Sequence, residues 1–185
     1  MLNEIRTDTE RKMQKTVTSI TEELAGIRSG KATPALLDSV KVDAYGQKMP
    51  LNQVASVSVP DPKSLVVQPW DKTLIGDIVK AIQVAELGFN PQVEGPIIRV
   101  PVPPLSEERR VELVKHCKKI AEEGKVAVRN IRREANERLK KAEKDKKVSQ
   151  DEQRDGTDKI QHLTDKFIRD IDDLVARKEK EIMQV

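Results

Sequence analysis

Residues 97–110 read IIRVPVPPLSEERR, and within this stretch the chain changes its physical pattern. Ile97, Ile98, Val100 and Val102 form an extended run that stops at Pro103-Pro104, because proline lacks the backbone N–H that a strand ladder or a helix interior needs. Leu105-Ser106-Glu107-Glu108 follows, with Ser106 suited to cap a helix and two acids placed where they favour the positive helix end. All ten prolines of the chain fall between Pro34 and Pro104. The flanks 1–29 and 105–185 are therefore free to be long helices, and the middle is not.

Downstream of Ser106, Cys117, Ile120, Gly124, Val128, Ile131, Ala135 and Leu139 repeat at steps of three and four, the period of one helix face. Ser149-Gln-Asp-Glu152 matches a capping box, so a second helix is expected to start there after a loop from Asp145 to Val148. Its apolar stripe reads Ile160, Leu163, Phe167, Ile171, Leu174, Lys178 and Ile182. Upstream, Met13, Val17, Ile20, Leu24 and Ile27 supply a third stripe of coiled-coil type. A helix from 106 to 146 spans about 60 Å at 1.5 Å per residue. Three such helices, each needing to bury its stripe, predict an elongated antiparallel three-helix bundle built from residues 1–29 and 105–185.

The middle segment, 30–104, reads as a small inserted α/β domain, so the fold class is α+β. Val40, Val42 and Ala44 alternate with polar residues before Tyr45-Gly46, Val54, Val57 and Val59 run up to Pro60-Asp61-Pro62, and Leu65-Val66-Val67 is a third strand candidate. Leu74, Ile75, Ile78, Val79 and Ile82 have helical spacing, with Gly88 as the expected stop. Arg28-Ser29-Gly30-Lys31 and Val102-Pro103-Pro104-Leu105 carry the chain between the two domains and are read as acting together as a hinge.

Composition narrows the function. Aromatic residues make up 2% of the chain, too few for a base-stacking platform or most cofactor clefts. Cys117 is the only cysteine and fits a reducing compartment, and the apolar runs are too short for a signal core or a membrane span, so a soluble cytoplasmic protein with no membrane contact is expected. His116 and Cys117 point about 100° apart on a helix and cannot act on each other, and His162 stands alone. The reading is no catalytic residue, no metal site and no cofactor, and no GxxxxGK[ST] loop is present for nucleotide hydrolysis.

The net charge of +3 is unevenly distributed: residues 1–104 sum to 0, residues 105–147 to +6 and residues 148–185 to −3. Within the basic segment, VAVRNIRREANERLKK (126–141) places Lys125, Arg129, Arg132, Arg133, Asn136 and Lys140 on one side of the helix, roughly 100° from its apolar stripe. Charge runs are commonly a solvated face. Arginine rather than lysine at the centre of the stripe favours phosphate, which the planar guanidinium fork engages through two bonds at once. A stripe without aromatics grips backbone and shape, as suits folded RNA. The rival reading is a helical adaptor that offers the same stripe to an acidic protein.

IRSGKATPALLD, PLNQVASVSVPDPKSLVVQPWDK, IRVPVPPLSEERR and VAVRNIRREAN, in this order, closely resemble the bacterial ribosome recycling factor family over essentially the whole chain. The resemblance implies an L-shaped monomer of tRNA-like dimensions, acting in the intersubunit space of the ribosome with elongation factor G and GTP to split post-termination ribosomes and free mRNA and tRNA. GTP hydrolysis would belong to the elongation factor, so the chain itself would not be an enzyme. Carried over by motif, Arg28, Arg129 and Arg132 would contact large-subunit rRNA, supported by Arg110 and Arg133, and Ser29, Gly30, Lys31, Pro103, Pro104 and Leu105 would be the hinge, where Gly30→Pro, by stiffening it, is expected to reduce splitting more than binding.

Overall fold

The computed structural model describes residues 1–85 and 87–184. Packing divides them into two compact units, one of Met1–Arg28 with Glu107–Gln184 and the other of Ser29–Ser106. The first unit contains three long helices, α1 (Leu2–Ala25), α3 (Glu107–Lys144) and α4 (Gln150–Met183). The second contains strands β1 (Lys41–Ala44), β2 (Gln47–Pro50), β3 (Ala55–Asp61), β4 (Ser64–Pro69), β5 (Gln92–Glu94) and β6 (Ile97–Pro101), the α-helix α2 (Ile75–Val84) and three short 3-10 turns. The α+β reading of the sequence therefore holds.

In the helical unit α3 runs antiparallel to its two partners. Lys12 pairs with Glu134 and Asp8 with Arg138, which sets α1 against α3, while Lys125 pairs with Asp172 and Arg132 with Gln161, which sets α4 against α3. The core between them holds Met13, Cys117, Val128, Ile171 and Ile182, all fully buried. Gly124 sits at the centre of α3, where a helix interior would gain about 1 kcal/mol from alanine. A Cβ there would collide with Cδ1 of Ile20, so the glycine lets α1 approach α3 closely. On α4 the buried positions are Ile160, Thr164, Phe167, Ile171, Val175 and Ile182, and the expected Leu163 and Leu174 are only half buried. The seam takes a step of four after Ile160, and Thr164 tolerates burial because its hydroxyl donates to the Ile160 carbonyl at 2.8 Å.

The turn between α3 and α4 is closed at both sides. Lys146 adopts φ 57° and donates its N–H to the Glu143 carbonyl, while the Lys147 N–H reaches the Ala142 carbonyl, a Schellman ending with lysine in place of the usual glycine. Ser149 then caps α4: its hydroxyl accepts from the Glu152 N–H at 3.2 Å and the Glu152 carboxylate accepts from the Ser149 N–H at 2.7 Å. The capping box read from the sequence is present.

In the inserted unit, β1 and β2 form a hairpin, and the other strands make an antiparallel sheet of order β3-β4-β6-β5. Leu65 lies opposite Val100 and Val67 opposite Ile98, and all four are fully buried in the core that also holds Ile78 and Ile82 of α2. Two strands were not expected from the sequence. β2 carries QKMP and β5 carries QVE, whose side chains are exposed or half exposed, so neither shows the alternation that marks a half-buried strand. The strand expected to end before Pro60 continues through it to Asp61, on a sheet edge where a missing donor is tolerated. α2 ends at Val84, short of Gly88, which holds φ 73°.

Candidate nucleic-acid interface

α3 carries cations on more than one side, and the structure separates them by what they touch. Lys125 is mostly buried, donates to Asp172 of α4 and Glu122, and is held above the ordinary lysine range chiefly by the hydrogen bond it donates to Asp172. Arg138 donates to Asp8 of α1 at 2.7 Å. Arg11 also donates to Asp8 at 2.7 Å, and these two bonds hold the Asp8 carboxyl at about 2 against the usual 3.8. Lys12 completes the cluster with a 2.8 Å bond to Glu134. Lys125, Arg138 and Lys12 are fasteners between helices, so Lys125 belongs to the bundle seam and leaves the basic stripe proposed from the helical period.

Arg129, Arg132 and Arg133 differ. None has a carboxylate partner among the described residues; Arg132 alone makes a hydrogen bond, from Nη1 to the Gln161 side-chain oxygen of α4 at 3.5 Å. Arg129 and Arg132 are half buried and Arg133 is exposed, the state expected of long side chains whose stems lie on the bundle and whose heads reach solvent. The three stay together on one turn of α3. Arg110 is separate: it lies in the first turns of the same helix, roughly 28 Å from Arg129 along the axis. It is half buried, and its Nε has no hydrogen-bond partner among the described residues. Arg28 is exposed beyond the C-terminal end of α1, which the antiparallel register places by the N-terminal half of α3. The five arginines are therefore a central group of three and two outlying members.

The residues read as a hinge have a common anchor. The Ala32 N–H donates to the Pro62 carbonyl at 2.9 Å and the Val102 N–H to the Lys63 carbonyl at 2.8 Å, so both crossings are tied to the single turn between β3 and β4. That turn is itself fixed by Asp61, whose carboxylate accepts from the Ser64 hydroxyl and the Lys63 N–H and is lowered by both bonds. Ser29 is buried, Lys31 half buried, and Pro103 and Pro104 exposed. Gly30 holds φ 82° with its open side facing Leu105. Proline cannot adopt that φ, so Gly30→Pro would break the turn instead of stiffening it, and the substitution expected to isolate hinge motion does not do so.

The remaining reactive groups are structural or isolated. Cys117 is fully buried and its thiol is pushed up by that burial, whereas His116 is exposed. Nδ1 of His162 meets the Asp158 carbonyl at 2.7 Å. Among the described residues no cluster of His, Cys, Asp and Glu could hold a metal ion, and no helix is long and apolar enough to cross a membrane.

Sequence reasoning named the arginines but not their surroundings. Asn136 stood in the stripe without a role, and Gln161 on α4 carried no signal, because only the register between α3 and α4 brings it to Arg132.

A family model described as ribosome recycling factor matches residues 20–183. The ribosome-recycling factor of Symbiobacterium thermophilum is 54% identical over 185 residues, covering 100% of both chains, and that of Bacillus subtilis is 51% identical with the same coverage. A solution structure of a ribosome recycling factor superposes with a TM-score of 0.73 at 44% identity, covering 100% of this chain and 98% of the other. Models for the T. thermophilus ribosome recycling factor, bound with E. coli elongation factor G to the E. coli post-termination complex, match with a TM-score of 0.63 at 46% identity, covering 99% of each chain. Similar from end to end in both sequence and fold, this chain belongs to the ribosome recycling factor family and functions in ribosome recycling.

Proposed function

We propose that this chain acts on the post-termination ribosome together with elongation factor G and GTP, splitting it into subunits and releasing mRNA and tRNA. Arg129, Arg132 and Arg133 grip large-subunit rRNA through its phosphates, and Arg28 and Arg110 add contacts nearer the other end of the helical unit. The chain works in the intersubunit space as a monomer in the cytoplasm and is not itself an enzyme; the GTP is hydrolysed by its partner. The observation that carries the RNA reading is the sorting of cations on α3. Lys125 and Arg138 are neutralised by carboxylates of neighbouring helices, and among the described residues the three arginines between them are not. A guanidinium kept half on the surface without an acid is available to a phosphate diester, where charge-assisted bonds are strongest. Residues 29–31 and 103–105, lying outside the anchors at Ala32 and Val102, form the hinge that lets one unit move while the other stays bound.

Light scattering of post-termination ribosomes mixed with this chain, elongation factor G and GTP tests the proposal. Scattering falls only in the complete mixture if the chain drives splitting. An unchanged signal, with a known recycling factor active in the same ribosomes, would refute it.

A further inference from the structure

Within the inserted unit, the outer strand β3 borders a cleft of about 540 Å³ whose apolar lining comes chiefly from Leu37, Pro50, Leu51, Val57 and Trp70. Leu37 and Leu51 are buried, whereas Trp70 is 66% exposed. The chain has four aromatic residues, and Phe89 and Phe167 are in the two cores. The other two, Trp70 and Tyr45, stand on the surface beside Asp71, to which the Tyr45 hydroxyl donates at 2.8 Å. The backbone under the indole is pinned: the Trp70 N–H donates to the Val54 carbonyl at 3.2 Å, and Asp71 accepts from the N–H and hydroxyl of Thr73. An indole left in water on so fixed a segment adds little to the fold and offers a large apolar face at low entropic cost. Asp38 is the only charged residue in the lining, and it has no salt bridge among the described residues. With Asp71 next to the indole, the cleft is acidic in a chain whose net charge is +3. β3 pairs with β4 alone, so its outer edge has no strand partner among the described residues, and Ser56 and Val57 of this strand line the cleft.

We propose that this cleft docks an extended basic segment of a protein partner, which sets an aliphatic or proline side chain against the apolar floor, stacks a lysine or arginine on Trp70 and pairs it with Asp38. Charge selects the sign of the occupant. A phosphate backbone would meet Asp38 and Asp71 with no cation in the lining to hold it, so RNA is disfavoured here, whereas a cation gains from both the carboxylate and the indole face. The strand edge selects the conformation, because the main chain of an extended segment can continue the sheet from β3 while its alternate side chains enter the cleft. Pro60, farther along β3, lacks a donor and confines that addition to the residues beside the cleft. The inference does not depend on the RNA reading of the α3 arginines.

The test begins with photocrosslinking of the full chain, carrying p-benzoylphenylalanine in place of Ser56, on purified post-termination ribosomes with elongation factor G, after sedimentation has shown the chain bound. The expected product joins the cleft to a protein, within a segment that contains lysine or arginine. Attachment to RNA, to a second copy of this chain, to a segment without those residues or to nothing overturns the proposal. A synthetic, tryptophan-free peptide of the captured segment is then titrated against the free chain. Trp70 is the only tryptophan, so its fluorescence reports on the cleft directly, and its emission is expected to move to the blue as the peptide covers the indole. Asp38→Asn is expected to weaken the peptide about tenfold and to reduce the salt dependence, with an unchanged melting temperature because the side chain is exposed. Trp70→Ala, followed by anisotropy of a labelled peptide, is expected to weaken it at least as much, and Trp70→Phe to retain most of the affinity. An unshifted emission, or parent affinity in Asp38→Asn, would remove the assignment. Asp38→Asn decides the matter on its own should Trp70→Ala unfold.

Discussion

The packed and the open sides of α3 use the same residue types in opposite ways. On the packed sides, Lys125 and Arg138 meet Asp172 and Asp8 of neighbouring helices, and Gly124 gives way so that Ile20 can enter. On the open side Arg129, Arg132 and Arg133 meet no carboxylate among the described residues, although Glu134 and Glu137 are close in sequence. Glu134 is instead taken up by Lys12 of α1. Charge on this helix is thus assigned by partner rather than by position in the sequence. A cation paired across helices contributes to the fold, and one left unpaired beside the bundle is available for binding.

That contrast breaks most severely at Gly124. Gly124→Val fills the gap against Ile20 and is expected to destabilise the helical unit by about 3 kcal/mol, the upper part of the overpacking range, as read from denaturant unfolding. Gly124→Ala should cost less, and combining it with Ile20→Val, which removes Cδ1, should recover much of that loss; strict additivity of the two changes would show that they do not share the space. Binding to ribosomal subunits by the folded fraction should be unaffected by either.

Arg129→Ala tests the opposite side. Here the expectation is an unchanged melting temperature and a binding loss of about 1–3 kcal/mol to large ribosomal subunits, because only a charge-assisted contact to the partner is removed. A fall in melting temperature of the size caused by a core change would place Arg129 among the fasteners.

The smallest effect is expected at Asp8. Its carboxyl is held at about 2 by Arg11 and Arg138, below the usual 3.8, so it stabilises the folded chain fully above about pH 4 and loses that contribution as the pH falls towards 2. Asp8→Asn should lower the melting temperature slightly at neutral pH and flatten its decline between pH 4 and 2, with ribosome binding unchanged. The cluster is largely solvent-exposed, which keeps the effect small.

What the sequence disclosed follows the range of the interactions. The proline confinement, the capping box at Ser149 and the three apolar stripes are local signals, and each marks an element that the structure contains. The strands β2 and β5 were illegible because their exposed residues pair through backbone hydrogen bonds that any side chain permits. The same holds for the arginine cluster of α3. Arg129, Arg132 and Arg133 could be picked from their spacing, but the capture of Lys125 by Asp172 and the meeting of Arg132 with Gln161 depend on the register of α3 against α4.

The shared anchoring of Ala32 and Val102 on one turn also bears on how the helical unit assembles. α1 and α3 are separated in the chain by everything from Ser29 to Ser106, and an unstructured loop of that length would oppose their meeting through its closure entropy. Once the inserted unit has folded, its ends are neighbours, with Gly30 against Leu105, and the long excursion behaves as a short link. At about 0.6 kcal/mol for each doubling of loop length, the shortening is worth roughly 2 kcal/mol to the docking of α1 on α3. Folding of the inserted unit and docking of α1 on α3 therefore favour each other to the same extent, whichever comes first.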